Sequence, residues 1–339
     1  RPALPGAPVG VDQGSVMARE TLTRLTGSAL ELLSRRWYQT VSIAEICRNA
    51  GVSNGIFYRY FRTKEEILST LLDSFLERFS RDLERVGGAT IEERVENFVD
   101  VVIGAARRYA EEVTVFREGQ YRLPEYERRL HQLYQSVVAR LYRRAISAVE
   151  YLYLLAGVRF VATRSLYHDL TIDTNLITRM LLDGVFPHEG GVLEMPHASR
   201  PEQHLSEEPR SRLLEAGLTL FGERGVHQVQ VVDVARYAGY SVGTFYNHFP
   251  SKEEFLANVV LEIGHRTRAY LRSRRRTDLP RWEQDILGIA DFLDFFSPRP
   301  NYYQIVREAE FVVPQTVKEY YDAFEHGYRE GLTGFRREQ

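Results

Sequence analysis

A chain of 339 residues, 44% hydrophobic and 27% charged, is long enough for two globular domains with separate cores. Its formal net charge of −2 excludes a global field that gathers nucleic acid indiscriminately, so any anion-binding surface is local. The single cysteine, Cys47, excludes an intrachain disulfide or a thiolate metal cluster and fits a reducing cytoplasm, and no apolar run approaches the ~20 residues that cross a bilayer.

The opening "RPALPGAPVGVDQG" is rich in Pro and Gly, and residues 1–18 read as a flexible tail. Helical spacing follows, with Leu22, Leu25, Ala29 and Leu32 on one face. Ser42-Ile43-Ala44-Glu45 has the form of a capping box, opening a short helix that carries Ile43, Ile46 and Cys47 inward. Gly51 ends it. Ser53 is placed to cap the next helix, in which Phe57 and Phe61 face the core. Thr63-Lys64-Glu65-Glu66 is a second capping box, at the start of a long helix. Two short helices joined by a glycine turn predict a helix-turn-helix, whose second helix fits a major groove ~12 Å wide. No stretch shows strand alternation, so the expected fold class is all-α.

Tyr58 and Tyr60 flank the buried face and are expected to point outward, where phosphate oxygens suit their hydroxyls. Lys64 occupies the first helical position, where a cation opposes the helix dipole by roughly 0.3–1 kcal/mol. Beside the free amides of the helix tip it completes an anion site for a DNA backbone. The competing reading is a solvated lysine balanced by Glu65 and Glu66; its recurrence farther along the chain favours phosphate.

Residues 69–187 continue as helices rich in aromatics, among them Phe98, Tyr109, Phe116, Tyr121, Tyr126 and Tyr134. Core packing accounts for most of these. Pro124 is expected to end one helix, and Glu118 to lie on a surface or at a pocket rim. Two further helices are expected over 151–168 and 173–186, with Leu154, Val158, Val161 and Leu166 forming an apolar stripe. The join "SAVEYLYLL" lacks turn residues where a loop is expected, which raises the question of residues absent at 150–151 and after 339. Residues 188–206 read as a linker, in a stretch with four prolines whose three histidines have no metal-ligand spacing.

Then the chain repeats itself. "VSNGIFYRYFRTKEEIL" (52–68) returns as "YSVGTFYNHFPSKEEFL" (240–256), with Gly51 and Gly239 188 residues apart. "VFREGQYRLPEY" returns as "IVREAEFVVPQT", with Pro124 and Pro314 190 apart, so whole domains are duplicated. The expected organisation is a tail (1–18), a helix-turn-helix domain (19–68), a helical ligand-binding and dimerisation domain (69–187) and the linker (188–206). A second helix-turn-helix domain (207–256) and a partial regulatory domain (257–339) follow, the latter with no counterpart of 151–186.

"SIAEICRNAGVSNGIFYRYFRTKEEIL" resembles the DNA-binding domain of the TetR/AcrR family of bacterial regulators, over 40–68 and again over 228–256. The resemblance implies three N-terminal helices carrying the helix-turn-helix, then helices that form an effector pocket and a dimer interface. It implies operator DNA as partner, a largely apolar small-molecule effector, a homodimer through 151–186, and a cytoplasmic repressor without cofactor, metal or membrane contact. By position, Ser42 would meet backbone phosphate, Ser53, Asn54 and Gly55 would open the recognition helix, and Ile56 would touch a thymine methyl. Tyr58 and Lys64 would contact phosphate, and Arg59 and Tyr60 would lie near the groove. In the second copy these roles fall to Ser241, Val242, Gly243, Thr244, Tyr246, Asn247, His248 and Lys252. That copy departs from the pattern: Gln230 replaces Ser42, which predicts a lost cap, and Arg59 and Arg62 become Asn247 and Pro250, so the first copy is expected to be the main DNA reader. Tyr109, Phe116, Tyr121, Phe292 and Tyr303 are the implied effector-binding residues. No glycine-rich phosphate loop, HExxH or GxSxG occurs, so no enzyme is expected. The alternative is a small-molecule-binding co-regulator whose helix-turn-helix units no longer serve DNA.

Overall fold

The computed structural model describes residues 13–166, 171–184 and 208–335, all helix and connection with no strand among them. The chain divides into two compact units, residues 1–185 and 186–339. The linker expected at 188–206 lies outside the described residues.

The first unit opens with α1 (Gln13–Arg35), a short 3-10 turn at Tyr38–Thr40, α2 (Ile43–Ala50) and α3 (Asn54–Tyr60). Then come α4 (Lys64–Glu84), α5 (Ile91–Arg108), α6 (Ala110–Arg122), α7 (Pro124–Tyr142), α8 (Ala148–Arg164) and α9 (Thr174–Asp183). The second unit comprises α10 (Pro209–Arg224), α11 (Val231–Ala238), α12 (Val242–His248), α13 (Lys252–Ser273), α14 (Arg281–Phe296), α15 (Pro300–Ala309) and α16 (Pro314–Phe335).

In the first unit Leu25, Ile46, Phe57 and Ile67 bury their side chains where α1, α2, α3 and α4 converge. Phe98, Val99, Val138 and Val158 continue the same core into the bundle of α5, α7 and α8. Complete burial of such a side chain contributes about 1.5–3 kcal/mol. The second unit fills the corresponding space with rings: Phe255 lies 5.1 Å from Phe245, 4.9 Å from Phe249 and 5.7 Å from Phe221.

Several boundaries differ from expectation. α1 already begins at Gln13, inside the span 1–18 read from the sequence as a tail. Pro124 and Pro314 do not end helices; each takes the first position of the next, where its fixed φ suits the turn and no amide is lost. α8 runs unbroken through 150–151, since the turn lies upstream: Arg143 adopts φ +52°, and Ser147 and Glu150 form a capping box. The stripe predicted for α8 faces inward, with Leu154 and Val158 buried as α8 and α9 pack on α5. Its exposed apolar residues are instead Leu152, Tyr153 and Phe160, with Leu176 and Met180 on α9. In the second unit Ile289 and Leu293, the counterparts of the buried Val99 and Ile103, are exposed.

Candidate nucleic-acid interface

The first helix-turn-helix is closed by short-range chemistry. Ser42 Oγ accepts the Glu45 amide at 3.2 Å, and Glu45 Oε2 accepts the Ser42 amide at 2.8 Å, so both halves of the capping box form. The Arg36 guanidinium at 2.7 Å, with the Ser42 hydrogen bonds, holds the Glu45 carboxyl down at about 2. Gly51 then turns the chain at φ +65°, in the left-handed region that glycine enters without strain. Arg24 Nη2 latches that turn, donating to the carbonyls of Ala50 at 2.5 Å and Gly51 at 3.0 Å.

α3 is anchored by Phe57 and Phe61, their ring centroids 5.5 Å apart. Its outer face carries Ser53, Asn54, Gly55, Tyr58 and Arg59, all exposed, with Tyr58 at 58%. Ile56 and Tyr60 are only half-exposed, and Tyr60 leans on the core instead of standing clear of it. The Ser53 hydroxyl makes no cap bond, contrary to expectation, and stays on the surface.

Lys64 is placed differently from its predicted role. Its Nζ donates inward to the carbonyls of Tyr38 at 2.7 Å and Val41 at 2.6 Å and sits 4.0 Å from the Tyr38 ring centre. Burial, with Arg122 nearby, pulls its pKa below the usual lysine range. Two of the three ammonium protons are thus spent on the connection between α1 and α2. The cap of α4 forms as predicted from Thr63, which accepts the Glu66 amide at 3.1 Å, whereas Glu66 reaches past Thr63 to the Arg62 amide at 2.5 Å.

The second helix-turn-helix repeats this geometry. Gly239 turns the chain at φ +81°, Phe245 and Phe249 are buried, and Ser241, Val242, Gly243, Tyr246, Asn247 and His248 are exposed while Thr244 is half-buried. Ser241 caps α12, accepting the Thr244 amide at 3.1 Å. The start of α11 is not left open by Gln230, because Asp233 Oδ2 accepts its amide at 2.9 Å. Lys252 is half-buried like Lys64, and desolvation lowers its pKa. The charge differs: residues 42–62 hold three arginines against one glutamate, and residues 230–250 hold one arginine against one aspartate.

The first bundle contains a cavity of about 50 Å³ walled by Phe75, Phe79, Val102, Phe116, Leu130 and Tyr134, with Arg117 and Arg159 among its lining residues. Arg159 forks onto Glu127 at 3.0 and 3.1 Å. Of the predicted effector residues only Phe116 lies on this wall. Tyr109 instead donates its hydroxyl to Asp82 at 2.9 Å, and Tyr121 sits half-buried on α6, outside the lining. Phe292 packs at a tilt against Phe296, ring centroids 4.7 Å apart, and Tyr303 is 48% exposed.

The family model for bacterial regulatory proteins of the tetR family matches residues 25–71 and, a second time, residues 213–259. The chain carries two tandem TetR-like domains. Among its TetR-family relatives, the regulator HbdR of Aromatoleum sp. (strain CIB) is 32% identical over 69 residues, 20% of this chain and 30% of that one. UidR of Escherichia coli K12 is 24% identical over 165 residues, 48% of this chain and 83% of its own length. The chain thus spans about a third of the first curated relative it matches. Among solved structures, the fatty acid degradation regulator FadR of Bacillus halodurans superposes with a TM-score of 0.40 at 16% identity, covering 48% of this chain and 94% of that one.

Sequence reasoning missed two side chains that reach from the bundles to the TetR-like domains. Glu118 and Glu308 are buried, neither on the surface nor at a rim, and each accepts a backbone amide of its DNA-binding domain. Their one signal was the repeated Arg-Glu pair before the shared proline. Among the described residues no helix is long and apolar enough to cross a membrane, and no cluster of side chains has the makings of a metal site.

Proposed function

We propose that this chain is a ligand-responsive regulator that binds operator DNA through α2 and α3 and represses transcription from it. The observation that carries the reading is the division of α3. Phe57 and Phe61 are given wholly to the core, while Asn54, Gly55, Tyr58 and Arg59 stand together on the exposed side. Tyr58 and Arg59, with Arg48 and Arg62 alongside, supply phosphate donors, and Asn54 has the amide pair that reads an adenine edge. The first copy is the stronger reader, because its arginines give a local positive charge that Asn247 and Pro250 do not replace.

The effector is a small, largely apolar molecule held in the bundle, for which the aromatic walls of the cavity are the support. Subunits pair through the outer face of α8 and α9, where Leu152, Phe160, Leu176 and Met180 leave apolar surface exposed. Gel shifts on the DNA upstream of the protein's own gene, at several salt concentrations, test the reading. A discrete site is expected, with log K falling as log salt rises by ~0.9 per phosphate contacted. Arg59→Ala is expected to weaken binding at least tenfold, and Asn54→Ala to change the preferred sequence. Binding equal for all sequences, or none to any, overturns it.

A further inference from the structure

Glu118 is an expensive residue to keep where it is. It lies on α6, 8% exposed, and both carboxylate oxygens accept the backbone amide of Tyr38, at 3.0 and 3.1 Å. Tyr38 begins the short turn that leads from α1 into α2. Leu33, Leu68, Val115 and Gly119 line the site and leave no space for a water molecule. The charged groups facing the carboxylate are Arg122 of the same helix, whose Nε is 3.8 Å away, and Lys64 of α4. A neutral amide would accept the same hydrogen bond without the cost of desolvating a charge.

The second unit has the same contact from different surroundings. Glu308 of α15 accepts the amide of Val226, the counterpart of Tyr38, at 2.8 Å. There Val312 stands in place of Arg122, and the neighbours are Gln304 at 3.0 Å and His227 at 3.8 Å. The flanking side chains have changed between the copies, and the bond from the bundle carboxylate to the same backbone amide is present in both. The bond itself is therefore the shared element.

Its position on α6 gives it a task. Phe116 and Arg117 line the cavity, and Glu118 follows them, about 100° farther around the same helix, facing the other way. We propose that Glu118 and Glu308 are positioning residues, carboxylate clasps by which each helical bundle sets the angle of its own helix-turn-helix. Lys64 holds the same turn from its other side, through the carbonyls of Tyr38 and Val41. The turn is thus held between one acceptor on α6 and one donor on α4. This rests on the DNA-binding reading above only for its consequence at DNA; the clasp can be measured without any DNA.

The test uses the full chain and two readouts. Amide hydrogen exchange over residues 36–50 reports the clasp, and operator affinity reports its effect. Glu118→Ala removes both acceptor oxygens, and exchange at Tyr38 is expected to rise about a hundredfold, with α10 to α12 unchanged. Operator binding should weaken about tenfold or more at a temperature where the variant is fully folded. Glu118→Met fills the same space without an acceptor, and a rise like that of the alanine variant is expected; this variant decides the matter if the alanine variant does not fold. Glu118→Gln keeps one acceptor oxygen, and exchange within about threefold of the parent is expected. Exchange at 36–50 within twofold of the parent in the methionine variant overturns the clasp. Raised exchange with operator affinity unchanged overturns its role in setting the helix-turn-helix. If the parent binds no DNA at all, the exchange result still judges the clasp, so failure of the functional reading stays distinguishable.

Discussion

Replacing Lys64 by methionine separates two roles that look alike in the sequence. As a phosphate ligand, Lys64 would contribute to DNA binding alone, and its loss would lower the slope of log K against log salt by ~0.9. The structure points to a brace: the ammonium donates to two carbonyls, at 2.7 and 2.6 Å, and stacks on the Tyr38 ring. Hydrogen bonds from a charged donor contribute about 1.5–3 kcal/mol each. Partial burial of the ammonium offsets some of this, and the methionine stem keeps most of the packing. A net loss of about 2–3 kcal/mol from the first unit is expected, a fall in melting temperature of roughly 4–12 °C. The assay is urea unfolding followed by Trp37 fluorescence in a Trp282→Phe background, since Trp37 and Trp282 are the two tryptophans of the chain. The salt slope on operator DNA is measured beside it and should not change. A slope reduced by about one contact, with stability within ~0.5 kcal/mol of the parent, refutes the brace.

Other consequences follow from the same contacts. Burial lifts the Glu118 carboxyl from 4.5 to about 7, so the folded state holds its proton more tightly than the unfolded state does. That group's stabilisation is complete below about 4.5 and is lost as pH rises through about 7, a change of about 3 kcal/mol. Glu118→Gln should accordingly unfold at higher urea than the parent at pH 8 and lose that advantage at pH 5; equal midpoints at both pH values argue against a neutralised carboxyl. Phe57→Ala and Phe245→Ala should each destabilise their own unit by about 3–5 kcal/mol in urea unfolding, the first followed by Trp37 fluorescence and the second by Trp282 fluorescence in a Trp37→Phe background, because both rings are fully buried. Phe160→Glu on α8 should convert a dimer to monomer by sedimentation while leaving the circular dichroism of the helices intact, since the ring lies outside the core.

Much of the architecture was legible because it is encoded locally. The capping box at Ser42 and Glu45, the left-handed glycines at 51 and 239, and the Phe57/Phe61 spacing each act within four residues, so a reader of the chain needs no tertiary information to place them. The duplication and the TetR resemblance were equally open. Where expectation failed, a long-range partner was responsible. Lys64 read as a free cation at a helix tip because nothing nearby in sequence reveals the carbonyls 23 and 26 residues earlier that receive it. Glu118 read as surface or rim because its partner amide lies 80 residues away.

The sequence by itself determined the helices, their caps, the repeat and the side of α3 left free of structural work, since hydrophobic period and terminal hydrogen bonds are set by neighbours along the chain. Only the tertiary structure decided which charges are spent inside the protein. The apolar stripe of α8 faces α5, the ammonium of Lys64 is turned inward, and the carboxylates of Glu118 and Glu308 are buried against backbone amides. The physical reason is that a buried polar group must find a hydrogen-bond partner, and for these side chains the partner lies on elements that meet only after folding.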